Sequence, residues 1–448
     1  MKKTNPWITI SCIILSTIYI FNVLRIFKLM DNQAYQAEVG FYNENKNSLD
    51  AVYIGGSNVY RFWEPPLAWG DYGIAVWNYS MSQLNAKPLP YLIKEIHKTQ
   101  PETLFIISLN AFKILDVNDV HIHRDTNYLN FSVNKIEMIY SLANEIGYKG
   151  LDQLEFYFPI IRFHSRWSEL NTWDFTRKID GLKGGHVDNR FLKTSIPVTE
   201  QYDIIYEEAK LTAEQSALLE EFLEFLDDSG HKVLFVSSPQ ALGEDIKTYK
   251  HINRMATIIQ EHGYPCLNLI NAIDETGIQP ETDFYDNNHT NVHGAIKFTD
   301  YLAQYLVDNY GFTDKRGQPG WESWDESVGL ITDLIAPYTL EFEREHASRD
   351  YELETPVLNK VKVKEQTITL SWKESPNAEG YDIYRKSAAS GEQNWTYLIS
   401  TESDTLQYFD SDLNPKTNYT YTVVPKIKTD GIERYGNFNF TGVSGTTK

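Results

Sequence analysis

Short apolar runs recur along the first three hundred residues, with helical spacings between them. Residues 51–57 (AVYIGGS) form an apolar run that ends in a Gly-rich turn, which predicts a buried strand. Further apolar runs at 73–79, 103–109, 232–236 and 265–270 predict four more strands. Helical spacing marks 89–98 and 247–262. A third helix carries Leu218, Leu219, Phe222, Leu223 and Phe225 on its apolar side, and a last one is expected over 295–309. Strands that alternate with helices predict an α/β fold, a flavodoxin-like parallel sheet with helices on both faces. The stretch 113–210 breaks this rhythm. It is rich in aromatics and His and reads as an insertion or lid over the C-terminal strand edge.

The two ends of the chain read differently. Lys2 and Lys3 precede an apolar run over 7–24, which Arg25 and Lys28 follow. Eighteen helical residues reach about 27 Å, close to the ~30 Å hydrocarbon core of a bilayer. No small-x-small cleavage site follows the run. Residues 1–30 are therefore expected to be an uncleaved signal anchor, a single-pass transmembrane helix with the rest of the chain extracytoplasmic. A cleaved signal peptide is the alternative, and a lipoprotein anchor at Cys12 has too short an apolar stretch before it. Polar residues 31–50 read as a stalk at the start of a domain over 31–325. Residues 311–354 are acidic and contain Trp, with 326–354 as a linker. From 355 to 448 the pattern changes to short strands and turns, and a C-terminal β-sandwich is expected.

Composition narrows the function. Acidic residues outnumber basic ones 61 to 41, giving a net charge of −20. That charge repels phosphate backbones, so no nucleic-acid partner is expected. The 29 Tyr and 10 Trp suit carbohydrate faces and sandwich cores alike. A disulfide between the two cysteines, Cys12 and Cys266, is not expected, because Cys12 lies in the first apolar run.

Two segments carry candidate chemistry. In Ile54-Gly55-Gly56-Ser57-Asn58 a strand meets a turn, where a serine hydroxyl can be exposed beside free backbone N–H groups. A plain Gly-Gly-Ser loop would look the same. In Asp283-Phe-Tyr-Asp286-Asn-Asn-His289-Thr-Asn-Val-His293-Gly294-Ala295, Asp286 and His289 are three apart. That spacing can set a carboxylate beside an imidazole nitrogen. A polar helix cap would use the same residues. If Ser57 ends the first strand and Asp286-x-x-His289 follows the last, both reach the carboxyl edge of one parallel sheet.

This order resembles the SGNH (GDSL-like) hydrolase superfamily. TDFYDNNHTNVHGAIKFTDYLAQYL resembles the D-x-x-H-x-N-x-x-G-A-x-x-F-T-x-Y-L block of its membrane-anchored bacterial branch. GGSNVYRFWEPPLAWGDYGIAVWNYSMSQ resembles that branch's opening block. The branch is akin to the teichoic-acid D-alanine transfer protein and to polysaccharide O-acetylation enzymes. The resemblance covers about residues 48–325. It implies Ser57 as nucleophile, Asp286 as orienting acid and His289 as base, with His293 as rival base. It also implies a serine esterase or O-acyltransferase acting on cell-surface glycan or teichoic-acid esters, with no cofactor and no metal. An integral-membrane O-acyltransferase would be the partner that supplies the acyl group. Two departures bear on the oxyanion hole. The second block, Asn78-Tyr-Ser80-Met-Ser82-Gln83, lacks the usual Gly, and the third strand ends Ser108-Leu-Asn110 without Gly-x-Asn-Asp. The Ser57 N–H, the Ser82 N–H and the Asn110 amide are the candidates. The same departures favour an alternative, a catalytically inactive scaffold or polysaccharide-binding protein of the cell envelope.

Other polar groups offer less. His121-Ile-His123 with Asp125 could chelate a metal, but no further ligand is evident and a plain structural face reads better. His164-Ser-Arg166-Trp167 in the insertion could touch a sugar or an acyl donor, or simply pack. At the C-terminus, residues 413–421 (LNPKTNYTY) resemble the tyrosine corner of a fibronectin type III domain, with Trp372, Tyr384 and Tyr421 expected in its core. Such domains are spacers or binding modules, and no chemistry is assigned to this one.

Overall fold

The computed structural model describes scattered positions before residue 26, and then residues 26–448 except 114, 189–205, 241–245, 279–282, 287, 348–352, 388–395, 430–431, 437–438 and 440. The chain divides into two compact units, one reaching to Ile335 and one running from Ala336 to the C-terminus.

The first unit is built on five parallel strands: β1 (Ala51–Gly55), β2 (Val76–Ser80), β3 (Leu104–Ser108), β4 (Val233–Ser237) and β5 (Cys266–Asn268). Their order is β2-β1-β3-β4-β5. Both faces of the sheet are covered. Val52, Ile54, Phe105, Ile107 and Phe235 enter one core; Ala51, Tyr53, Leu104, Ile106, Leu234 and Val236 enter the other. Burial on both faces is why these strands read as continuous apolar runs.

Three expectations change. A membrane span needs about 20 consecutive apolar helical residues. Among the described residues no helix is long and apolar enough to cross a membrane. The described helical positions before residue 25 are scattered, namely Trp7, Ile10, Ser11, Cys12, Leu15, Ser16, Tyr19 and Leu24; the rest of 7–24 lies outside the described residues. The transmembrane helix, and the single-pass membrane location built on it, are corrected accordingly. Residues 31–50 are no stalk either. Asn32–Ala34 and the π-helical Tyr35–Val39 are followed by Phe41; Ala34, Ala37 and Phe41 are buried, and Ala34 and Phe41 enter the core on one face of the sheet. Finally, most of the expected linker is helix, Glu322–Ala347. Its Trp324 is buried against Trp69 and Trp77, which ties the start of the helix to the first unit.

The second unit is a β-sandwich of antiparallel strands. One sheet is β10 (Gln407–Asp410), β7 (Thr367–Ser371) and β6 (Lys362–Lys364). The other is β12 (Ile432–Tyr435), β11 (Asn418–Thr429), β8 (Gly380–Ser387) and β9 (Thr396–Glu402), with β13 (Val443–Thr446) also paired to β11. Its core holds Ile368, Leu370, Trp372, Tyr381, Ile383, Tyr421 and Val423. Tyr384 was expected there but is only half-buried, against Tyr397. Alternation along β8 gives the core position to Tyr381 instead. The Tyr419 hydroxyl accepts the Asn414 N–H at 3.1 Å, which fastens the corner before β11.

Candidate active site

Ser57 lies just past the carboxyl end of β1 and opens a single helical turn, Ser57–Tyr60. The chain leaves the sheet through Gly55 because nothing larger fits. A Cβ there would stand 2.6 Å from Ser108 Cβ and 2.6 Å from Val59 Cγ2. Asn58 Nδ2 donates to Ser108 Oγ at 2.6 Å and fixes the turn against β3.

Asp286 and His289 sit on a tight reverse turn. Phe284 pairs with Thr290 across it, Tyr285 N–H donates to His289 O at 3.0 Å, and Asn291 N–H donates to Asp283 O at 2.9 Å. Asn291 then caps helix Val292–Tyr310, its side chain accepting from the His293 and Gly294 N–H groups. The first turn of that helix presses on the reverse turn. A Cβ at Gly294 would lie 2.3 Å from Asp283 O and 2.6 Å from Thr290 Cγ2.

These two elements, 232 residues apart in sequence, bring three side chains into line. Ser57 Oγ lies 2.7 Å from His289 Nε2, and His289 Nδ1 lies 2.9 Å from each Asp286 carboxylate oxygen. Nδ1 between two carboxylate oxygens is a donor, which leaves Nε2 to accept from the serine hydroxyl. Partial burial raises the Asp286 pKa. The hydrogen bond and charge of His289 and the N–H groups of Asn288 and His289 outweigh it and hold the carboxyl below its ordinary range. His293 does not share this arrangement. It is buried at the start of helix Val292–Tyr310, and the serine meets His289.

The oxyanion candidates are aligned by strand register. Gly55 stands opposite Ser80, and Ile54 opposite Ile107. Ser57, Ser82 and Asn110 each lie two residues beyond a strand end, so three adjacent strands deliver them to one edge. The chain passes from β1 to the edge strand β2 and returns to β3 on β1's other side, so β1 and β3 flank the switch point at which open parallel sheets generally bind ligands. Asn110 Oδ1 is buried without a hydrogen-bond partner among the described residues. Gln83, next to Ser82, holds a left-handed backbone (φ 54°), and its Oε1 meets His121 Nε2 at 3.1 Å.

The remaining sequence candidates do not converge. His121 is engaged by Gln83, His123 packs between Phe156 and Phe163, and Asp125 pairs with Arg124. Burial lowers the His123 pKa to about 4. Among the described residues no group of three or more His, Cys, Asp or Glu could hold a metal ion. In the insertion, Arg166 is bound to Asp174 at 2.6 Å and to the carbonyls of Ile26 and Lys28, while Trp167 is exposed.

Sequence reasoning missed a ring of support around His289. The Tyr285 ring stacks on the imidazole, with centroids 5.4 Å apart and planes 10° apart. Arg61, one turn after Ser57, lies over Tyr285 and is ion-paired with Asp188 from the insertion. Thr290 Oγ1 donates to the Arg61 carbonyl. Tyr285 and Arg61 stand inside the two quoted motifs and could have been singled out. Asp188 has no local pattern around it.

No family model and no curated protein matches the chain. Similar solved structures include a β-1,2-glucanase from Parabacteroides distasonis, at 22% identity and a TM-score of 0.18, over 21% of this chain and 13% of that one. The chain thus spans about an eighth of the glucanase. Others are FN3tt, at 26% identity and a TM-score of 0.17 over 21% of this chain and 95% of that one, and a fibronectin type III domain of human collagen XX, at 20% identity and a TM-score of 0.17 over 20% of this chain and 92% of that one. Fibronectin type III domains therefore stand among the structures to which the chain is similar, beside its own C-terminal β-sandwich.

Proposed function

We propose that the first unit is an SGNH-type serine enzyme, an esterase or O-acyltransferase that works through an acyl-serine on Ser57. The observation that carries this reading is the unbroken line from Ser57 Oγ through His289 to Asp286, at 2.7 and 2.9 Å. In the reaction the serine oxygen attacks the ester carbonyl carbon, and its proton passes to His289 Nε2. Asp286 keeps Nδ1 protonated and stabilises the imidazolium. The Ser57 and Ser82 N–H groups and the Asn110 amide are the proposed donors to the oxyanion. Collapse expels the alcohol, which takes the proton from Nε2 and leaves Ser57 acylated. Water or an acceptor hydroxyl then attacks the acyl-serine by the same route in reverse, giving hydrolysis or transfer. No step calls for a metal or cofactor.

The proposed substrate class is an ester of a glycan or teichoic-acid hydroxyl, as the resemblance of the two motifs implies. In the transferase version an acyltransferase partner supplies the acyl group. For the second unit a spacer or glycan-binding role is proposed, as a fibronectin type III-like domain. Labelling with a fluorophosphonate probe tests the serine mechanism. Wild type is expected to be modified on Ser57, with labelling abolished in Ser57→Ala and His289→Ala proteins that melt normally. A folded wild type that stays unlabelled, or labelling that survives Ser57→Ala, would sink this reading and return the inactive-scaffold alternative.

A further inference from the structure

We propose that Tyr285, Arg61 and Asp188 form a positioning stack that fixes the tilt of the His289 ring; the proposal rests on the serine-enzyme reading above. Hydrogen bonds at Nδ1 and Nε2 hold the two ends of the imidazole. They leave the ring free to rock about the line that joins them. A flat surface against the ring face removes that freedom, and Tyr285 supplies it, stacked within 10° of parallel.

Tyr285 needs its own support, because it is only half-buried on the reverse turn. The Arg61 guanidinium provides it, with Cζ 5.0 Å from the Tyr285 centroid and 5.2 Å from that of Tyr60. Arg61 is fixed from two directions. Its backbone N–H bonds the Ser57 carbonyl at 3.0 Å, so it belongs to the nucleophile's own turn. Its side chain, 13% exposed, pairs with Asp188, which is 6% exposed. Asp188 is anchored in turn: its carbonyl accepts the N–H of Val292, the first residue of the helix after the reverse turn, at 2.7 Å. One residue of the insertion, through its carboxylate on one side and its backbone carbonyl on the other, thus ties the serine's turn to the helix that follows the base's turn. A planar guanidinium can hold a ring face and a carboxylate together; the compact ammonium of Lys cannot do both. None of the three side chains need touch substrate, so they are positioning residues.

The test measures the rate of Ser57 phosphonylation by a fluorophosphonate probe in the full chain. The limiting rate is separated from the half-saturating probe concentration, with thermal melting followed in parallel. Tyr285→Leu removes the flat ring, and Asp188→Asn removes the charge while keeping the shape. Each is expected to lower the limiting rate by about 10- to 100-fold, the scale of a small misplacement of a reacting group, with half-saturation unchanged. Tyr285→Phe, which keeps the ring, is expected to stay within about twofold of wild type on the same principle. Because Asp188→Asn leaves a buried guanidinium without its counter-ion and can unfold the protein, the Tyr285 pair decides the matter if that variant melts early. A folded Tyr285→Leu protein with the wild-type limiting rate would overturn the proposal. So would a Tyr285→Phe protein as slow as Tyr285→Leu, since the hydroxyl and not the ring would then be acting. A wild type that takes no label on Ser57 removes the serine reading and the inference together. A labelled wild type with unmoved variants removes the inference alone.

Discussion

At Asp286 two opposed effects meet. Partial burial disfavours its charge, while His289 and two backbone N–H groups favour it more strongly. The result is a carboxylate held in its ionised form, which is what the proposed role of orienting and stabilising the base requires. Asp286→Asn is expected to cut turnover about 10²–10⁴-fold by exchanging a charged acceptor for a neutral amide. The depressed pKa also gives a sign for stability. A carboxyl whose folded value lies below its unfolded one stabilises the fold above the ordinary carboxylate range, and that contribution disappears as pH falls through the folded value. Any melting-temperature gap between wild type and Asp286→Asn should therefore be present at neutral pH and close below about pH 4. It should also be small, because the side chain is 44% exposed and salt screens it. A gap that ignores pH would remove the charge argument. At this scale the sequence is readable where chemistry is local. Asp286 and His289 are one turn apart, whereas Arg61 and Asp188 pair across 127 positions and leave no pattern in either neighbourhood.

Among the elements, the reverse turn and the helix behind it depend most on one small residue. Gly294 is helical, so its backbone alone would accept Ala. The obstacle is the Asp283 carbonyl, 2.3 Å from where a Cβ would sit. Gly294→Ala must push the turn away from the helix, and the turn carries Asp286 and His289. The expected cost is about 1–3 kcal/mol, with a fall in Ser57 labelling larger than the stability loss alone would produce. Labelling that simply tracks the folded fraction would mean that the strain is absorbed elsewhere. The strands were readable because both faces are buried and the apolar run is continuous. Residues 31–50 misled because polar side chains dominate the count. Yet Ala34, Ala37 and Phe41 keep a three- and four-residue spacing that a search for one apolar helix face would have caught. The part of the insertion beyond its 13-residue helix Val133–Glu145 gave no such handle. Its helices at Leu154–Tyr157, Ile160–Phe163 and Thr172–Thr176 are four or five residues long, too short to establish a period.

At the scale of the whole molecule, the proposed chemistry and the C-terminal sandwich fall in different units. All three residues of the proposed triad lie in the first unit, and the second has its own core. Trp372 and Tyr381 meet edge to face at 5.5 Å inside it, and the Tyr421 hydroxyl donates to Asp410 at 2.7 Å. Asp410 also pairs with Arg385 at 2.8 Å, so this buried carboxylate is satisfied from within the sandwich. A chain of roughly ninety residues with one shared core is large enough to fold without a disulfide or a metal. A fragment over 354–448 is therefore expected to unfold cooperatively and to give the circular-dichroism spectrum of a β protein. Within it, Tyr419→Phe removes one hydrogen bond to the Asn414 N–H. That change should cost about 0.5–1.5 kcal/mol, and more if the N–H is left without water. Urea melts of the two fragments measure it: the midpoint should drop while the slope stays the same. A helical spectrum would refute the sandwich, and an unchanged midpoint would mean that the corner bond adds nothing beyond what water offers the same N–H.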